Sequence, residues 1–470
     1  MKSNTFCRER TARRLLSVLL MLVITMFSVL PAAAEEGAAE AASYADPAVM
    51  PSNATEGWPK AADTVSDFVC VMDAGTGAIL CEKGMDVETP PASLTKIMTT
   101  LVAIENGDLD AQVTMTETGV GYAVSGSSNL YTQVGEVFTL RDMLYGTMLK
   151  SANDIATQVG EFVGGGSLDT FLSMMNERAA QLGCTGTNFA NACGMPNEEH
   201  HSTAHDLALI SREALKNSLF REIVHTKQYT IPATNLTDSR TFENHHKFLV
   251  TDEYAYDGII GGKTGYTDLA GSCLATYVER GGRTVICIAL HSMGMDNCLQ
   301  DTRRLCDYGL DEFENVPAPV GEGELISGGI LTLPKGASAE ECDVASVTET
   351  REDGYEETTS VYSWHGREVG TAVTEKPPLT SEPESVPESA AESAASGTVS
   401  EPEHAIPTAG AADSAEGHFS GAGSSQTVLL DEIVLPVIGP VGLVPLFLIV
   451  MLILILIIMV LIVIIIRRRR

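Results

Sequence analysis

Two rhythms of hydrophobic positions alternate between residues 63 and 313. Phe68-Val69-Cys70-Val71-Met72 and Ala78-Ile79-Leu80-Cys81 are short unbroken apolar runs on either side of the turn Asp73 to Gly77. Runs of that length, bounded by turn residues, predict two buried strands. After Pro90-Pro91 the spacing changes. Leu94, Ile97, Met98, Leu101 and Val102 repeat at helical intervals, with Gly107 as the stop. Leu140, Met143, Leu144 and Met148 predict a second helix, interrupted at Lys150-Ser151-Ala152-Asn153. Phe171 to Leu182 and Asp206 to Leu215 read as two more. Strands return at Gly258 to Thr264, Ser272 to Val278 and Thr284 to Leu290, the last two joined by Glu279-Arg280-Gly281-Gly282-Arg283. Asp301 to Leu310 closes the region as a helix. Two early and three late strands suit one antiparallel sheet, with the middle helices forming a lobe of their own. That is an α+β arrangement.

The flanks follow other patterns. Lys2, Arg8, Arg10, Arg13 and Arg14 precede the apolar stretch Leu15 to Leu30, and Ala32-Ala33-Ala34 offers a small-residue cleavage site. Residues 1–34 therefore read as a secretory signal peptide. Residues 35–62, rich in Ala, Glu, Pro and Ser, read as a flexible spacer. Residues 63–313 form the main domain. Residues 314–374 carry short apolar runs among Gly, Thr, Ser and Glu and read as a small β-rich module. Residues 375–432 hold eleven acids against one lysine, with repeated Pro, Ala and Ser. Such a segment cannot bury a core and reads as a disordered, self-repelling stalk. Residues 441–466 contain no charge, and about 20 apolar residues suffice for a transmembrane helix. The arginines at 467–470 would then be cytoplasmic and the main domain outside.

Charge narrows the function classes. The net charge is −32, with 62 acids against 30 bases, the reverse of what a nucleic-acid binder needs. Cys7 leaves with the signal peptide, and nine cysteines remain. Cys70 and Cys81 flank the first turn and could face each other, and Cys184 lies close to Cys193. No CxxC spacing suggests zinc, and free thiols are the simpler reading. His201 and His205 are four apart, but the run His-Ser-Thr-Ala-His lacks the glutamate of the H-E-x-x-H zinc motif. No metal site is expected.

Three short motifs carry the candidate chemistry. Ser93 and Lys96 are three apart at a helix start and share one helical face. A serine hydroxyl needs a base, and a lysine serves if burial and the positive helix terminus lower its pKa. Ser151 and Asn153 stand at a break within the helical lobe. Lys263-Thr264-Gly265 ends a Gly-rich strand, presenting a charge and a hydroxyl to an anionic group beside accessible backbone. Each alone also fits a bland role: a capped helix start, an N-cap, an edge-strand lysine before a turn glycine.

Together, the order S-x-x-K, S-x-N, K-T-G resembles the set found in penicillin-binding proteins and serine β-lactamases. The chain is similar to the serine D-alanyl-D-alanine carboxypeptidases. The stretches 91–99, Ser151-Ala152-Asn153-Asp154, Met175-Asn176, Thr187-Asn188-Phe189, His201-Ser202-Thr203-Ala204 and 262–267 carry the resemblance, which covers about residues 63–313. It implies a penicillin-binding-protein fold and removal of the terminal D-alanine from peptidoglycan stem pentapeptides, without a cofactor. It implies Ser93 as nucleophile, Lys96 as base and Ser151 as proton relay. Asn153, Lys263, Thr264 and Gly265 would bind substrate, and the Ser93 and Tyr266 amides would form the oxyanion hole. β-Lactams would be covalent inhibitors. The sequence departs from the family at His205, where arginine is frequent, and in ending on a full hydrophobic span. Two rivals follow from the same residues. A serine β-lactamase would use this fold, but the E-x-x-L-N setting of a deacylating glutamate is missing after Asn153. An inactive, tethered wall-binding protein would not need Ser93, Lys96 and Lys263 intact.

Overall fold

The computed structural model describes residues 50–378. The expected signal peptide and the expected span at 441–466 lie outside them, as does nearly all of the expected stalk. Among the described residues no helix is long and apolar enough to cross a membrane.

Five antiparallel strands form the central sheet: β1 Phe68–Asp73, β2 Ile79–Lys83, β3 Ile259–Thr267, β4 Gly271–Arg280 and β5 Arg283–Ser292. Their order is β2-β1-β5-β4-β3, so the two early strands join the three late ones through the β1–β5 pair, with Phe68 opposite Leu290. Alternate residues of β1 point to opposite faces. Phe68, Cys70 and Met72 enter the core shared with the helical lobe, whereas Val69 and Val71 enter a second core on the other face. Both faces are covered, which is why β1 is a continuous apolar run.

The longer helices are α1 Thr95–Asn106, α2 Leu140–Met148, α3 Asn153–Val163, α4 Leu168–Gln181, α5 Ala204–Ala214, α6 Ser218–His225 and α7 Met295–Asp311. Side-chain caps fix several starts: Thr139 accepts from the Asp142 amide and Thr203 from the Asp206 amide, both at 3.0 Å. The closing helix α7 starts six residues before the expected Asp301. Its first turn, Met295-Asp296-Asn297, holds two polar residues and a single half-buried methionine, so the apolar rhythm begins only at Cys298 and Leu299.

Beyond α7, six strands follow: β6 Phe313–Pro317, β7 Glu324–Gly328, β8 Ile330–Pro334, β9 Asp343–Thr350, β10 Glu356–Trp364 and β11 Arg367–Lys376. β6 pairs with β8, and the other four form a sheet in the order β7-β11-β10-β9. β11 continues through Glu375 and Lys376, two positions expected to begin the stalk.

The expected spacer at 35–62 needs correction over its described part. Residues 50–62 are packed, not free. Pro51–Ala54 form a 3-10 turn, and Met50, Trp58 and Ala61 are buried. The Trp58 Nε1–H donates to the Leu80 carbonyl at 2.8 Å, and its ring lies 5.2 Å from Phe313. Composition concealed this, because Trp58 is the one aromatic residue of 50–62, among prolines, alanines and polar residues with no periodic pattern. Cys70 and Cys81 do not face each other across the first turn. Cys70 stands opposite Glu82 and Cys81 opposite Val71, and all nine described cysteines are free.

Candidate active site

The S-x-x-K motif is split between two elements. Ser93 sits in a 3-10 turn, Ala92–Leu94, and Lys96 lies in the first turn of α1. Ala92 has φ 46°, a left-handed conformation rare outside glycine. Two neighbours hold it. The Thr95 hydroxyl donates to the Ala92 carbonyl at 2.8 Å and meets His200 Nε2 at 2.8 Å. His200 Nδ1 accepts the Ala190 amide proton at 3.0 Å, so Nε2 carries the ring proton and donates to Thr95. Burial, helped by His201 and Lys96, pushes His200 down to about 4, which keeps it neutral. On the other side stands Gly194, where a Cβ would lie 1.9 Å from the Ala92 carbonyl oxygen. Only glycine allows that approach.

Lys96 is fully buried, and three neutral acceptors surround its Nζ. They are Ser93 Oγ at 3.0 Å, Asn153 Oδ1 at 2.8 Å and the Cys193 carbonyl at 2.5 Å. Among the described residues no carboxylate touches it. Burial therefore dominates and lowers its pKa to about 8, with Cys193 and Asp154 opposing the shift. A base near 8 is neutral often enough at neutral pH to take a proton from a serine 3.0 Å away. The Cys193 carbonyl reaches Lys96 because Asn191 Oδ1 accepts from the amides of Cys193, Gly194 and Met195 and curls that loop.

Ser151 lies between α2 and α3 at φ 61°, and Asn153 opens α3. The neighbouring Asp154 carboxylate is buried and accepts from the amides of Leu130 and Thr132. It thereby ties the 124–132 segment to the S-x-N turn.

Lys263 in β3 is also buried. Its Nζ donates to Ser151 Oγ at 3.0 Å and to the Thr264 carbonyl at 2.9 Å. Burial, then the nearby Lys96, holds it well below the ordinary lysine range. At Gly265 an added Cβ would lie 3.1 Å from the Ser93 amide nitrogen, so the missing side chain lets β3 close on the nucleophile's turn.

All the expected site residues converge. Ser93, Ser151, Asn153, Thr264, Gly265 and Tyr266 line one cleft of about 640 Å³, with Lys96 and Lys263 buried beside it. Two serines thus each meet one lysine, and burial holds both lysines below the ordinary lysine range. His201 and His205 do not join them; they face Glu88 and Asp86. Sequence reasoning missed His200, Asn191 and the Cys193 carbonyl. Asn191 had no spacing signal, and the carbonyl belongs to no side-chain type. His200 precedes the His201–Ala204 stretch but no periodicity marked it.

The sequence profile of the D-alanyl-D-alanine carboxypeptidase family matches residues 55–294. A D-alanyl-D-alanine carboxypeptidase of Streptomyces sp. (strain K15) is 36% identical over 250 residues, 51% of this chain and 84% of the relative. The carboxypeptidase DacF of Bacillus subtilis is 29% identical over 250 residues, 53% of this chain and 62% of the relative. Among solved structures, the Streptomyces K15 DD-transpeptidase superposes with a TM-score of 0.50 at 34% identity. That match covers 53% of this chain and 98% of the other.

Proposed function

This chain belongs to the D-alanyl-D-alanine carboxypeptidase family of serine peptidases, and from that premise we propose which residues carry its reaction. The activity is hydrolysis of the terminal D-alanine from peptidoglycan stem peptides, outside the cytoplasm. Neutral Lys96 takes the Ser93 proton, and Ser93 Oγ attacks the carbonyl carbon of the penultimate D-alanine. The amides of Ser93 and Tyr266 receive the oxyanion. Ser151 relays the proton that Lys96 took from Ser93 to the leaving amine as D-alanine departs, which returns Lys96 to its neutral form. Water then attacks the Ser93 ester, with Lys96 again as base. Asn153 holds both Lys96 and the substrate peptide.

Lys263, Thr264 and Gly265 receive the substrate's terminal carboxylate. An unliganded Lys263 is held below its ordinary range by burial. The arriving carboxylate, an opposite charge, favours the ammonium form of Lys263. A β-lactam presents a carboxylate and a strained amide in the same relation, and so acylates Ser93. Its tethered amine blocks water, and the adduct persists. The apolar run at 441–466 before four arginines supports a membrane-held enzyme on an acidic stalk.

The observation that carries this reading is the contact of Lys96 Nζ with Ser93 Oγ at 3.0 Å, with no carboxylate beside the lysine. Mass spectrometry of a synthetic pentapeptide ending in D-Ala-D-Ala tests it. Loss of a single alanine is expected with the wild type and none with Ser93→Ala. Equal hydrolysis by both proteins would remove Ser93 as the nucleophile.

A further inference from the structure

The two ends of the Asn153 side-chain amide meet different partners. Its Oδ1 accepts from Lys96 at 2.8 Å. Its Nδ2, the donor left for a substrate carbonyl, donates to the Met195 thioether at 3.5 Å, its one hydrogen-bond partner among the described residues. Asn153 is 4% exposed, Met195 is half-buried, and both line the catalytic cleft. A thioether is a weak acceptor. It satisfies a buried donor in part and yields to the stronger carbonyl of a bound peptide. Asn191 pins the backbone of Met195 from both sides: its Oδ1 accepts the Met195 amide proton at 3.1 Å, and its Nδ2 donates to the Met195 carbonyl at 2.9 Å. The side chain, with three rotatable bonds, is free to swing aside.

The same placement opens the sulfur to chemistry. Met50 and Met175 also accept side-chain hydrogen bonds through sulfur, but both are buried. Met195 stands in an open cleft, within reach of a dissolved hydroperoxide. Oxidation would turn its weak sulfur acceptor into a sulfoxide oxygen, a polar and strong one.

We propose that Met195 is an oxidation site whose sulfoxide caps Asn153 Nδ2 and so withholds that donor from the substrate. This rests on the role given to Asn153 in the reading above. The step needs only a hydroperoxide. A sulfur lone pair attacks one peroxide oxygen, the O–O bond breaks as an S–O bond forms, and the proton on the transferred oxygen passes to the departing hydroxide. Sulfur is oxidised by two electrons, and hydrogen peroxide is reduced to water. The substrate carbonyl then competes for Nδ2 with an acceptor of its own strength. Ser93 and Lys96 are left as they were, so binding weakens while the chemistry persists. Enzymatic reduction of the sulfoxide restores the site.

The test treats purified wild type and Met195→Leu with hydrogen peroxide and assays both on a pentapeptide ending in D-Ala-D-Ala. Each protein is compared with its own untreated form. In the wild type KM should rise about tenfold, the worth of one neutral hydrogen bond, with kcat within twofold. The rise should track the gain of one oxygen mapped to Met195, and methionine sulfoxide reductase should reverse it. Met195→Leu keeps the exposed Met293 and the cleft-lining Met295, and its KM should not respond to peroxide. An equal rise in the variant would assign the effect to another methionine and overturn the proposal. So would a wild type whose Met195 is fully oxidised with KM unchanged, or one whose Met195 resists peroxide while Met293 is oxidised. The last two outcomes are read on wild type alone, whatever the variant's folding. If untreated wild type leaves the peptide intact, the carboxypeptidase reading itself falls, which no peroxide result can mimic.

Discussion

Lys96 and Arg367 are both long cations gripped by several acceptors, one beside the catalytic cleft and one where the C-terminal strands meet the peptidase sheet. Among the described residues Lys96 has three neutral acceptors and no carboxylate. Arg367 puts Nη1 on Glu82 Oε1 at 2.8 Å and Nη2 on Glu82 Oε2 at 2.5 Å. A further bond joins it to the Ile79 carbonyl, and its guanidinium stacks over Trp58. The forked ion pair fixes a permanent charge and bolts β11 to β2. The neutral cage leaves Lys96 poised to give up its proton. The lesson lies in the acceptors: a carboxylate makes a cation structural, whereas carbonyls, amides and hydroxyls in a dry site make it a base.

Removing the base should have the largest effect. Lys96→Met should slow Ser93 acylation by about 10³-fold or more. The same change should not weaken the fold. Holding Lys96 at about 8 rather than 10.5 costs the native state roughly 3 kcal/mol. The sign is fixed by the lowered pKa. The cost is complete below the folded value of about 8 and vanishes above the unfolded 10.5. At pH 7 the variant recovers it, less the hydrogen bonds left open at Asn153 and Cys193. A melting temperature no lower than wild type is expected by calorimetry. A fall of several degrees would show that Lys96 is structural, like Arg367.

Lys263 divides chemistry from carboxylate recognition, with a smaller effect. Lys263→Ala should slow acylation by acid-terminated peptides about 10²-fold. Amide-terminated peptides, already poor for wild type, should change little. Paired kinetics on the two peptides decide it, and equal losses on both would place Lys263 in the proton path or in folding.

At the seam the pattern should invert. Arg367→Met strands the buried carboxylate of Glu82 and should cost about 3 kcal/mol. The melting temperature should drop by a few degrees while Ser93 acylation stays within twofold. An acylation loss of tenfold or more would mean that the seam shapes the cleft.

The contrast also explains what the sequence made legible. Ser93, Lys96, Ser151, Asn153 and Lys263-Thr264-Gly265 are local spellings on predictable elements, so they could be found before their meeting in space was known. The central sheet was legible because burial on both faces demands unbroken apolar strands such as Phe68–Met72. The seam was not. Trp58, Glu82 and Arg367 lie in three unlike stretches, and nothing local in any of them points to the others. The supports of the nucleophile were hidden for a related reason. Cys193 acts through its carbonyl, Asn191 by curling a loop, and His200 through Thr95 on a strained Ala92. Those roles depend on tertiary placement and leave no periodic trace.

The central claim is that Ser93 is activated by a lysine whose pKa burial has lowered. Penicillin acylation, followed by intact-protein mass spectrometry over a pH series, tests it most directly. A mass increase of one drug molecule is expected, mapping after digestion to the peptide bearing Ser93. Because only neutral Lys96 accepts the proton, the acylation rate constant should rise about tenfold per pH unit below about 8 and then stop rising. An adduct on another serine, or a rate with no dependence on pH below that value, would contradict the account.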